Sequence, residues 1–402
     1  MIGWITAVIS FLLLYYLYIP IPREATEPWK LYFTSIVMKI QGDLITIYAL
    51  LTKKKIHDVM RISLHRCISF FVYFQPKIQG IEEEEANFDG VLVRIFKPTN
   101  TKGLIPGIVY IHGGGWYIFN TKTYSYFTKL LSKKANAVVV SVEYRLAPEN
   151  TFPVPFDDCL NATKYFLINA RKYNVNPDKV GIAGDSAGGN LSMAVALKLA
   201  IEPTLDIPKL AYQVLIYPCL QALDFNLSSF RENNIDRNTH CGLTRNAMIL
   251  FNNLYAFGNY ENFMAFSNNT HATVAMKKKY RYRVDPKCLQ GRYQMEPNDD
   301  TETDDTELAN QISETIFNPY FAPLMATDAQ LGKLPNTFLI TCEYDGLRDE
   351  GLILNERMKA INHPIKHLHL SGSEHGVLIY PYYNVYKSSV DKIAFYIKEI
   401  TK

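Results

Sequence analysis

The sequence Lys179-Val-Gly-Ile-Ala-Gly-Asp-Ser-Ala-Gly-Gly-Asn190 decides the fold, because it passes from a buried strand into a helix within a few residues. The apolar residues 180–183 predict the end of the strand, and the run 191–200 predicts the helix. Residues 184–188 between them form a G-x-S-x-G pattern. Its glycines allow a sharp turn that projects the Ser186 hydroxyl at the head of the helix.

The position of Ser186 at a helix N-terminus suits nucleophilic catalysis. Such a terminus has unpaired amide hydrogens and a partial positive charge, and both stabilise a developing oxyanion. Ser186 is therefore predicted to be a nucleophile, and the amide of Ala187 to be an oxyanion donor. A chance pattern is the alternative, because glycine and serine are common residues. The position between a strand and a helix favours the catalytic interpretation.

Strands and helices alternate through most of the chain, which predicts an α/β fold. The apolar runs are typical of strands buried on both faces, and their alternation with helices predicts parallel βαβ units in a doubly wound, mostly parallel sheet. The predicted strands are residues 91–96, 107–111, 137–142, 180–183, 212–217, 337–342 and 365–370. The predicted helices of this part are residues 123–135, 157–172, 191–200, 351–361 and 385–400.

A serine hydroxyl needs a base, and the base needs an orienting acid, before the serine becomes a good nucleophile. In a fold of this kind the acid and then the histidine follow the serine in sequence, each after the carboxyl end of a strand. Asp345 follows the predicted strand 337–342, and His375 lies in the loop after the next strand. The predicted triad is therefore Ser186, Asp345 and His375.

Other acids and histidines near the triad positions are assigned structural roles. Asp349 lies in the first turn of a predicted helix, where an acid stabilises the helix dipole. Glu343 belongs to the strand and is expected to point in a different direction from Asp345. The remaining histidines of this region are expected to be turn or strand-surface residues: His363, His367 and His369.

An oxyanion hole also needs amides from a loop that follows an earlier strand. His112-Gly-Gly-Gly-Trp116 follows the predicted strand 107–111. Successive glycines let amide hydrogens converge on one point without interference from Cβ atoms. We predict Gly113 and Gly114 as the best donors of this loop. A plain flexible turn is the alternative, although it does not explain the position of the glycines at the end of a buried strand.

The N-terminal segment is predicted to anchor the chain in a membrane. Residues 1–19 carry no charged side chain, and about 18 helical residues span about 27 Å, close to the thickness of a bilayer core. A secretory signal peptide is the alternative, but the small-x-small cleavage pattern is missing. The basic and acidic residues of the segment 23–30 balance, so the charge does not determine the orientation. Sequons for N-glycosylation begin at Asn161, Asn190, Asn226 and Asn268.

Changes in the sequence pattern divide the chain into five predicted segments. They are a signal-anchor transmembrane helix at 1–20, an N-terminal helical cap segment at 21–87, the first part of the core at 88–220, a cap or lid insertion at 221–315, and the second part of the core at 316–402. Strand alternation is lost in the insertion, which predicts a mobile lid followed by an acidic loop. Residues 29–74 predict two helices, and contact with a bilayer surface is an alternative to a cap role alone.

Two charged stretches are predicted to be exposed to solvent. The four glutamates at 82–85 are expected to form a solvated turn. The basic stretch 277–283 is expected to be a solvated helix face, with contact to anionic lipid headgroups as the alternative.

Composition excludes several classes of function. The chain has 402 residues and a formal net charge of +3, which gives no support for a nucleic-acid partner. It has no zinc-type cysteine spacing and no G-x-x-x-x-G-K-[ST] phosphate loop. The six cysteines are expected to be buried small hydrophobic residues: Cys67, Cys159, Cys219, Cys241, Cys288 and Cys342.

Taken together, these motifs resemble the hormone-sensitive-lipase branch of the α/β-hydrolases, and within it the arylacetamide deacetylase group. The resemblance covers residues 88–400, and the N-terminal anchor fits it too. The matching stretches are His112-Gly-Gly-Gly-Trp116, Tyr144-Arg-Leu-Ala-Pro-Glu149, Gly184-Asp-Ser-Ala-Gly-Gly-Asn190, Glu343-Tyr-Asp-Gly-Leu-Arg-Asp349 and His375-Gly376.

The resemblance implies a single-pass type II membrane protein of the endoplasmic reticulum with a lumenal catalytic body. It also implies hydrolysis of carboxylic esters or aryl amides of small hydrophobic substrates through an acyl-enzyme, with no metal and no diffusible cofactor. A catalytically silent binding or receptor module on the same fold is the alternative function. A lipase of stored lipids at a cytosolic face is a third hypothesis.

Two positions depart from the pattern of that family. Glu143 stands where the family usually has aspartate before Tyr-Arg-Leu-Ala-Pro, which puts the support of the glycine loop in doubt. Tyr117 stands where the family resemblance implies a cysteine that pairs with the counterpart of Cys342. That disulfide is therefore not expected in this chain.

Overall fold

A computed structural model describes residues 2–235, 243–296 and 306–402. Cys241 and most of the predicted acidic stretch, residues 298–305, lie outside the described residues.

The core of the protein is an eight-stranded sheet in the order β1-β2-β4-β3-β5-β6-β7-β8. The first three strands in this order pair antiparallel, and all pairs from β4 to β8 are parallel. The predicted doubly wound, mostly parallel α/β sheet is therefore confirmed. Its strands are β1 (Ile81–Phe88), β2 (Val91–Pro98), β3 (Ile105–Ile111), β4 (Val138–Val142), β5 (Val175–Asp185), β6 (Tyr212–Ile216), β7 (Asn336–Tyr344) and β8 (Ile365–Glu374).

Helices connect the strands and precede the sheet. They are α1 (Ile2–Leu17), α2 (Pro28–Thr52), α3 (Ile56–Tyr73), α4 (Ser125–Ala135), α5 (Val154–Asn169), α6 (Ala187–Ile201), α7 (Ser228–Ile235), α8 (Arg245–Phe257), α9 (Phe263–Ser267), α10 (Val274–Tyr280), α11 (Thr306–Ile316), α12 (Asp328–Leu331), α13 (Arg348–Ala360) and α14 (Asn384–Ile400). Helix α4 packs on α14, and α5 packs on α6. Every residue of β4 and of β6 is buried, as expected for central strands covered on both faces.

The four glutamates at 82–85 do not form a turn, and that prediction is wrong. They belong to β1, which pairs with β2 over its whole length. Arg94 of β2 binds Glu83 at 2.6 Å, and Lys97 binds Glu84 at 2.5 Å. Glutamate has low strand propensity, but cross-strand ion pairs compensate for it here, and charge on an edge strand discourages pairing with another chain.

In the described part of the insertion after β6, the regular structure is helical. Helices α7 to α11 and three short 3₁₀ turns occupy it, and no strand occurs there among residues 221–235, 243–296 and 306–315. The basic stretch 277–283 is only partly the solvated face that we predicted. Lys278 and Lys279 are exposed, but Lys277 is buried and donates to the carbonyl oxygen of Asn269 at 2.6 Å. Arg281 is buried as well.

The N-terminal part consists of three helices, of which α2 and α3 are the two predicted at residues 29–74. Helix α1 covers 16 residues, and all but one of its described side chains are exposed. Among residues 2–235, 243–296 and 306–402, the helix whose length and apolar composition would allow it to cross a membrane is α2. An apolar N-terminal helix thus fits a single-pass anchor, and the structure adds a second apolar helix that the sequence analysis assigned to the cap.

Candidate active site

The turn between β5 and α6 has the geometry of a nucleophile elbow. Ser186 lies at the N-cap of α6 with φ 56° and ψ −121°. A Cβ atom at Gly184 would lie 2.2 Å from the carbonyl oxygen of Gly188. A Cβ atom at Gly188 would lie 2.1 Å from the carbonyl oxygen of Ile111 at the end of β3. Both glycines are required because the backbone approaches itself so closely at this turn.

The structure brings the three predicted triad residues together at the carboxyl ends of β5, β7 and β8. The Nε2 atom of His375 lies 3.0 Å from the Oγ atom of Ser186, and its Nδ1 atom lies 2.8 Å from Oδ2 of Asp345. All three side chains are buried. The Leu347 amide donates to Oδ1 of Asp345 at 2.8 Å, which fixes the carboxylate. This arrangement can transfer a proton from the serine to an imidazole that a carboxylate orients.

The aromatic ring of Tyr217 packs against the imidazole of His375, with ring centroids 4.7 Å apart. Tyr217 is fully buried and directly follows β6. The sequence pattern predicts Tyr217 as part of the strand, but no sequence signal shows which ring a tyrosine at a strand end will contact. The ring limits the orientations that the imidazole can adopt.

The loop that carries His375 is held on both sides by the segment between α1 and α2. The amide of Thr26 donates to the carbonyl oxygen of Gly372 at 2.9 Å. The Glu27 carboxylate accepts from the amide of Asn384 at 2.8 Å, at the start of α14. Residues 371–374, which we predicted as a loop, are the last residues of β8. His375 therefore follows a strand end directly and has little freedom to move.

The glycine loop has a different arrangement from the one predicted. The amide of Gly113 donates to Oδ1 of Asp185 at 3.0 Å, so it is not free to bind an oxyanion. Gly114 and Gly115 both have positive φ, at 110° and 60°. Within the described residues, the amides of Gly114 and Gly115 donate no hydrogen bond. The available donors are thus those of Gly114, Gly115 and Ala187, and Gly113 acts as a point of attachment.

Asp185 is the attachment point beneath the glycine loop, and the sequence analysis did not identify it as functional. Besides Gly113, the hydroxyls of Tyr110 and Tyr124 donate to its carboxylate, each at 2.7 Å. Burial raises the pKa of the Asp185 carboxyl, while these donors act in the opposite direction. The G-D-S pattern contains this aspartate, but it does not show which groups donate hydrogen bonds to the carboxylate.

His112 fixes the other end of the same loop. Its ring stacks on Tyr144 with centroids 4.4 Å apart, and the Tyr144 hydroxyl donates to the His112 carbonyl oxygen at 2.9 Å. Burial lowers the pKa of the His112 imidazole, which favours its neutral form. Glu143, the departure noted in the sequence, accepts from the amide of Thr121 at 2.9 Å. Glu143 therefore holds the segment that follows the glycine loop, at Thr121.

The competing acids have structural partners. The Asp349 carboxylate accepts from the amide of Ser229 at 2.8 Å and from Nε of Arg348 at 2.9 Å, so it caps α7. The Glu343 carboxylate accepts from the amide of Gly372 at 2.7 Å. Neither acid contacts His375 in the described structure.

The competing histidines lie away from the serine. His367 and His369 share the hydroxyl of Thr341, at 2.8 and 2.9 Å. Nε2 of His363 lies 3.2 Å from the carbonyl oxygen of Pro335. These contacts agree with the structural roles that we predicted for all three.

A second buried acid lies close to the triad. Burial is the main cause that raises the pKa of Glu350 to about 8; the nearby Asp345 acts in the same direction, and the hydrogen bonds from Leu220 and Gln221 oppose it. The Glu350 carboxylate accepts from the Leu220 amide at 2.6 Å. Glu350 thus joins the start of α13, directly after Asp345, to the first residues of the insertion.

Residues of the insertion cover the site. Phe251 of α8 lies against Gly115, where a Cβ atom would meet its ring at 2.5 Å. Phe230 of α7 lies against Gly346, next to Asp345. A groove of about 580 Å³ lies elsewhere, around Ala211, Asn336 and Pro364 at the amino ends of the strands. The two phenylalanines thus lie on the glycine loop and beside Asp345, and the groove lies at the opposite edge of the sheet from the triad.

The cysteines form no disulfide in the described residues. Cys67, Cys159, Cys219, Cys288 and Cys342 are free, and Cys288 is exposed rather than buried as expected. Tyr117, at the position of the implied cysteine partner, donates its hydroxyl to the carbonyl oxygen of His57 in α3. Among the described residues no group of three or more His, Cys, Asp or Glu side chains is placed to hold a metal ion.

Comparison with known proteins places this geometry in a family. A family model described as the alpha/beta hydrolase fold matches residues 108–279 and 293–379. The chain is 34% identical to arylacetamide deacetylase of Bos taurus over 383 residues, 93% of this chain and 92% of the relative. It is 33% identical to neutral cholesterol ester hydrolase 1 of Bos taurus, over 91% of this chain and 90% of the relative.

Solved structures agree with the sequence matches. An esterase from Pyrobaculum calidifontis superposes with a TM-score of 0.65 at 26% identity, over 86% of this chain and 93% of the esterase. The thermophilic carboxylesterase EstE1, cloned from a metagenomic library, superposes with a TM-score of 0.66 at 25% identity, over 86% of this chain and 98% of EstE1. The chain therefore belongs to the α/β-hydrolase family, in the hormone-sensitive-lipase-like branch that includes arylacetamide deacetylase, and it is a carboxylic ester hydrolase.

Proposed function

We propose that the chain hydrolyses its substrates through an acyl-enzyme formed on Ser186. His375 removes the proton from the serine hydroxyl as the oxygen attacks the acyl carbon, and Asp345 orients the imidazole and stabilises its charged form. His375 then protonates the leaving alcohol or amine. Water attacks the acyl-serine by the same route and releases the acid. The observation that supports this most strongly is the continuous hydrogen-bonded path from Ser186 through His375 to Asp345.

The oxyanion that forms during each attack is bound by backbone amides. We assign this role to Gly114, Gly115 and Ala187, because Asp185 occupies the amide of Gly113. Gly113 and Asp185 act as positioning residues, which hold the glycine loop beside the serine. Preorganised amides in an enclosed site stabilise the developing charge more strongly than water does.

The substrates are small hydrophobic carboxylic esters or aryl amides. The relatives are named for deacetylation of arylacetamides and for hydrolysis of cholesterol esters, and the aromatic side chains of Phe230 and Phe251 lie beside the site. Strand β1 (Ile81–Phe88) belongs to the core sheet, so the first cap segment ends before residue 81 rather than at the predicted residue 87. We propose that the cap consists of residues 21–80 and 221–315, and that it closes over the two core segments, 81–220 and 316–402. Movement of α7 and α8 would admit the substrate.

The chain is anchored by residues 1–20 as a single-pass type II protein of the endoplasmic reticulum, with its catalytic body in the lumen. The apolar helix α1 and the family resemblance described for the sequence support this proposal. Two sequons, at Asn161 and Asn268, are exposed, whereas Asn190 is buried and donates to the carbonyl oxygens of Cys219 and Phe321. A lumenal body therefore has two accessible acceptor sites and one that is closed.

Replacing the nucleophile tests the proposed mechanism. Ser186→Ala is expected to lower kcat on a short-chain nitrophenyl ester by about 10⁴-fold or more, because no other group can form the acyl-enzyme. It should also abolish labelling by a fluorophosphonate probe. Ser388→Ala, at an exposed serine of α14, is the control and should retain full activity and labelling. Wild-type rates in the Ser186 variant would remove the serine from its role.

The assignment of the triad acid is tested by a pair of aspartates four residues apart. Asp345→Asn is expected to lower kcat by about 10⁴-fold, because the imidazole loses the acceptor that fixes its tautomer. Asp349→Asn should lower the melting temperature through loss of the α7 cap, with less than about a tenfold effect on kcat. Steady-state kinetics and thermal melts distinguish the two variants. The reverse pattern would show that the acid is misassigned.

The glycine loop is tested with a matched pair of glycines that both have positive φ. In Gly114→Ala the new Cβ atom would lie 2.3 Å from the carbonyl oxygen of Ile118, so the loop must shift. We expect kcat to fall by about 10²- to 10³-fold with little change in KM. Gly90→Ala carries similar strain, with φ 92° and nothing within 4 Å, and should keep its kcat. Equal losses in both variants would contradict the oxyanion role.

Glycosylation tests the topology. Expressed in cells, the chain should lose mass on a gel after glycosidase treatment, and Asn161→Gln and Asn268→Gln should each remove part of that shift. Asn226 is half-buried and Asn190 is closed, so little of the shift should depend on them. A chain that shows no shift at any sequon has its body on the cytosolic side.

A further inference from the structure

Helix α2 has an apolar stripe that no described part of the protein covers. The stripe is formed by six exposed side chains three, four or seven positions apart, which places them on one face of the helix. They are Trp29, Phe33, Ile40, Leu44, Ile47 and Leu51, which are between 39% and 80% exposed. At 1.5 Å per residue the stripe is about 33 Å long. Large apolar patches of this kind mark protein or membrane contacts.

The opposite face of α2 is attached to the catalytic body. Lys30 donates to the carbonyl oxygen of Tyr382 at 2.8 Å, and the hydroxyls of Thr34 and Tyr383 lie 3.1 Å apart. Leu31 and Ile45 are buried on this side. The outward direction of the stripe is therefore fixed with respect to the catalytic body.

Both ends of α2 are held at the catalytic body. This attachment decides whether the helix spans a bilayer or lies flat on its surface. Its first turn is tied through Lys30, and α3, which follows after three residues, is tied through Arg61 to Glu149 at 2.7 Å. A helix whose two ends contact the same globular body cannot place them on opposite sides of a membrane. Although its composition would allow it to span, α2 lies along the body and can meet a membrane only with its stripe.

The surroundings of the stripe favour lipid over a second protein surface. Helix α1, most of whose described side chains are exposed, contacts α2 next to Phe33 of the stripe, where the Tyr32 hydroxyl donates to the carbonyl oxygen of Leu17 at 2.6 Å. Three exposed lysines follow its C-terminal end: Lys53, Lys54 and Lys55. Apolar side chains bordered by lysines fit the boundary between acyl chains and anionic headgroups.

We propose that the α2 stripe and the three lysines form a membrane-contact face that lies flat on an anionic phospholipid surface. This contact is additional to the N-terminal anchor, and it does not depend on the catalytic roles assigned above. It fixes the orientation of the body, because α2 cannot rotate with respect to the sheet. The active site then has one defined direction towards the bilayer.

Tryptophan fluorescence in the full chain tests this proposal. The chain has three tryptophans, Trp4, Trp29 and Trp116. Trp4→Phe leaves Trp29, which is 70% exposed, and Trp116, which is 1% exposed and serves as an internal reference. The variant is reconstituted in vesicles of phosphatidylcholine and phosphatidylserine that carry bromine either near the headgroup or near the bilayer centre. We expect the shallow bromines to quench Trp29 strongly and the deep ones weakly.

A depth series distinguishes a flat helix from a spanning one. In the Trp4→Phe, Trp29→Phe background, a single tryptophan is placed by Ile40→Trp or by Leu51→Trp. A flat helix gives the same shallow depth at positions 29, 40 and 51, to within about twofold in quenching ratio. Deep quenching at position 40 with shallow quenching at both ends would show that α2 spans the bilayer and would overturn the proposal.

Matched charge variants test the stripe itself. Leu44→Glu with Ile47→Glu should reduce shallow quenching of Trp29 by about twofold or more. Thr46→Glu, at an exposed position of the same helix outside the stripe, should leave it unchanged. Replacing the three lysines by glutamine should remove the dependence on phosphatidylserine content. The emission of Trp116 reports in each variant that the fold is retained.

Two outcomes would contradict the proposal. Vesicle-bound protein whose Trp29 is not quenched at any depth has no lipid contact at α2. A blue shift of Trp29 emission that depends on protein concentration in detergent, together with a dimer in sedimentation, would assign the stripe to a second copy of the chain.

Discussion

The structure depends on the close approach between the turn at Ser186 and the end of β3. Gly188 lies directly against the carbonyl oxygen of Ile111, so the nucleophile turn and the start of the glycine loop share one position in space. Asp185 strengthens this junction, because its buried carboxylate accepts from Gly113 and from two tyrosines. The serine and the amides that we propose as oxyanion donors are therefore parts of one rigid unit. The base and the acid reach this unit from the neighbouring strand ends.

The sequence was sufficient to predict seven of the eight strands, from β2 to β8, and the three residues that meet at the carboxyl edge of the sheet. This success has a physical reason, because parallel strands end at the same edge and so bring distant loops together. The donor at Gly113 was predicted wrongly for an equally physical reason. Which amide remains free depends on where the Asp185 side chain points, and that is a matter of tertiary packing.

Charged residues were the other source of error. The glutamates of β1 were expected in a solvated turn, yet Arg94 and Lys97 of β2 form ion pairs with them. Lys277 was expected in solvent, but it is buried and donates to a backbone carbonyl oxygen. In both cases a partner between 8 and 13 residues away offsets the cost that the local pattern suggests. A local sequence pattern covers only a few neighbouring residues and does not reveal such partners.

The contacts of the segment between α1 and α2 have a practical consequence. Thr26 and Glu27 hold the two ends of the loop that carries His375, and Gly372 packs against the carbonyl oxygen of Glu24. A soluble fragment for crystallisation should therefore lack only the apolar helix α1 and should begin before Glu24. Trimming the chain to the first strand of the sheet would leave the imidazole on an unsupported loop, although every residue of the triad would still be present.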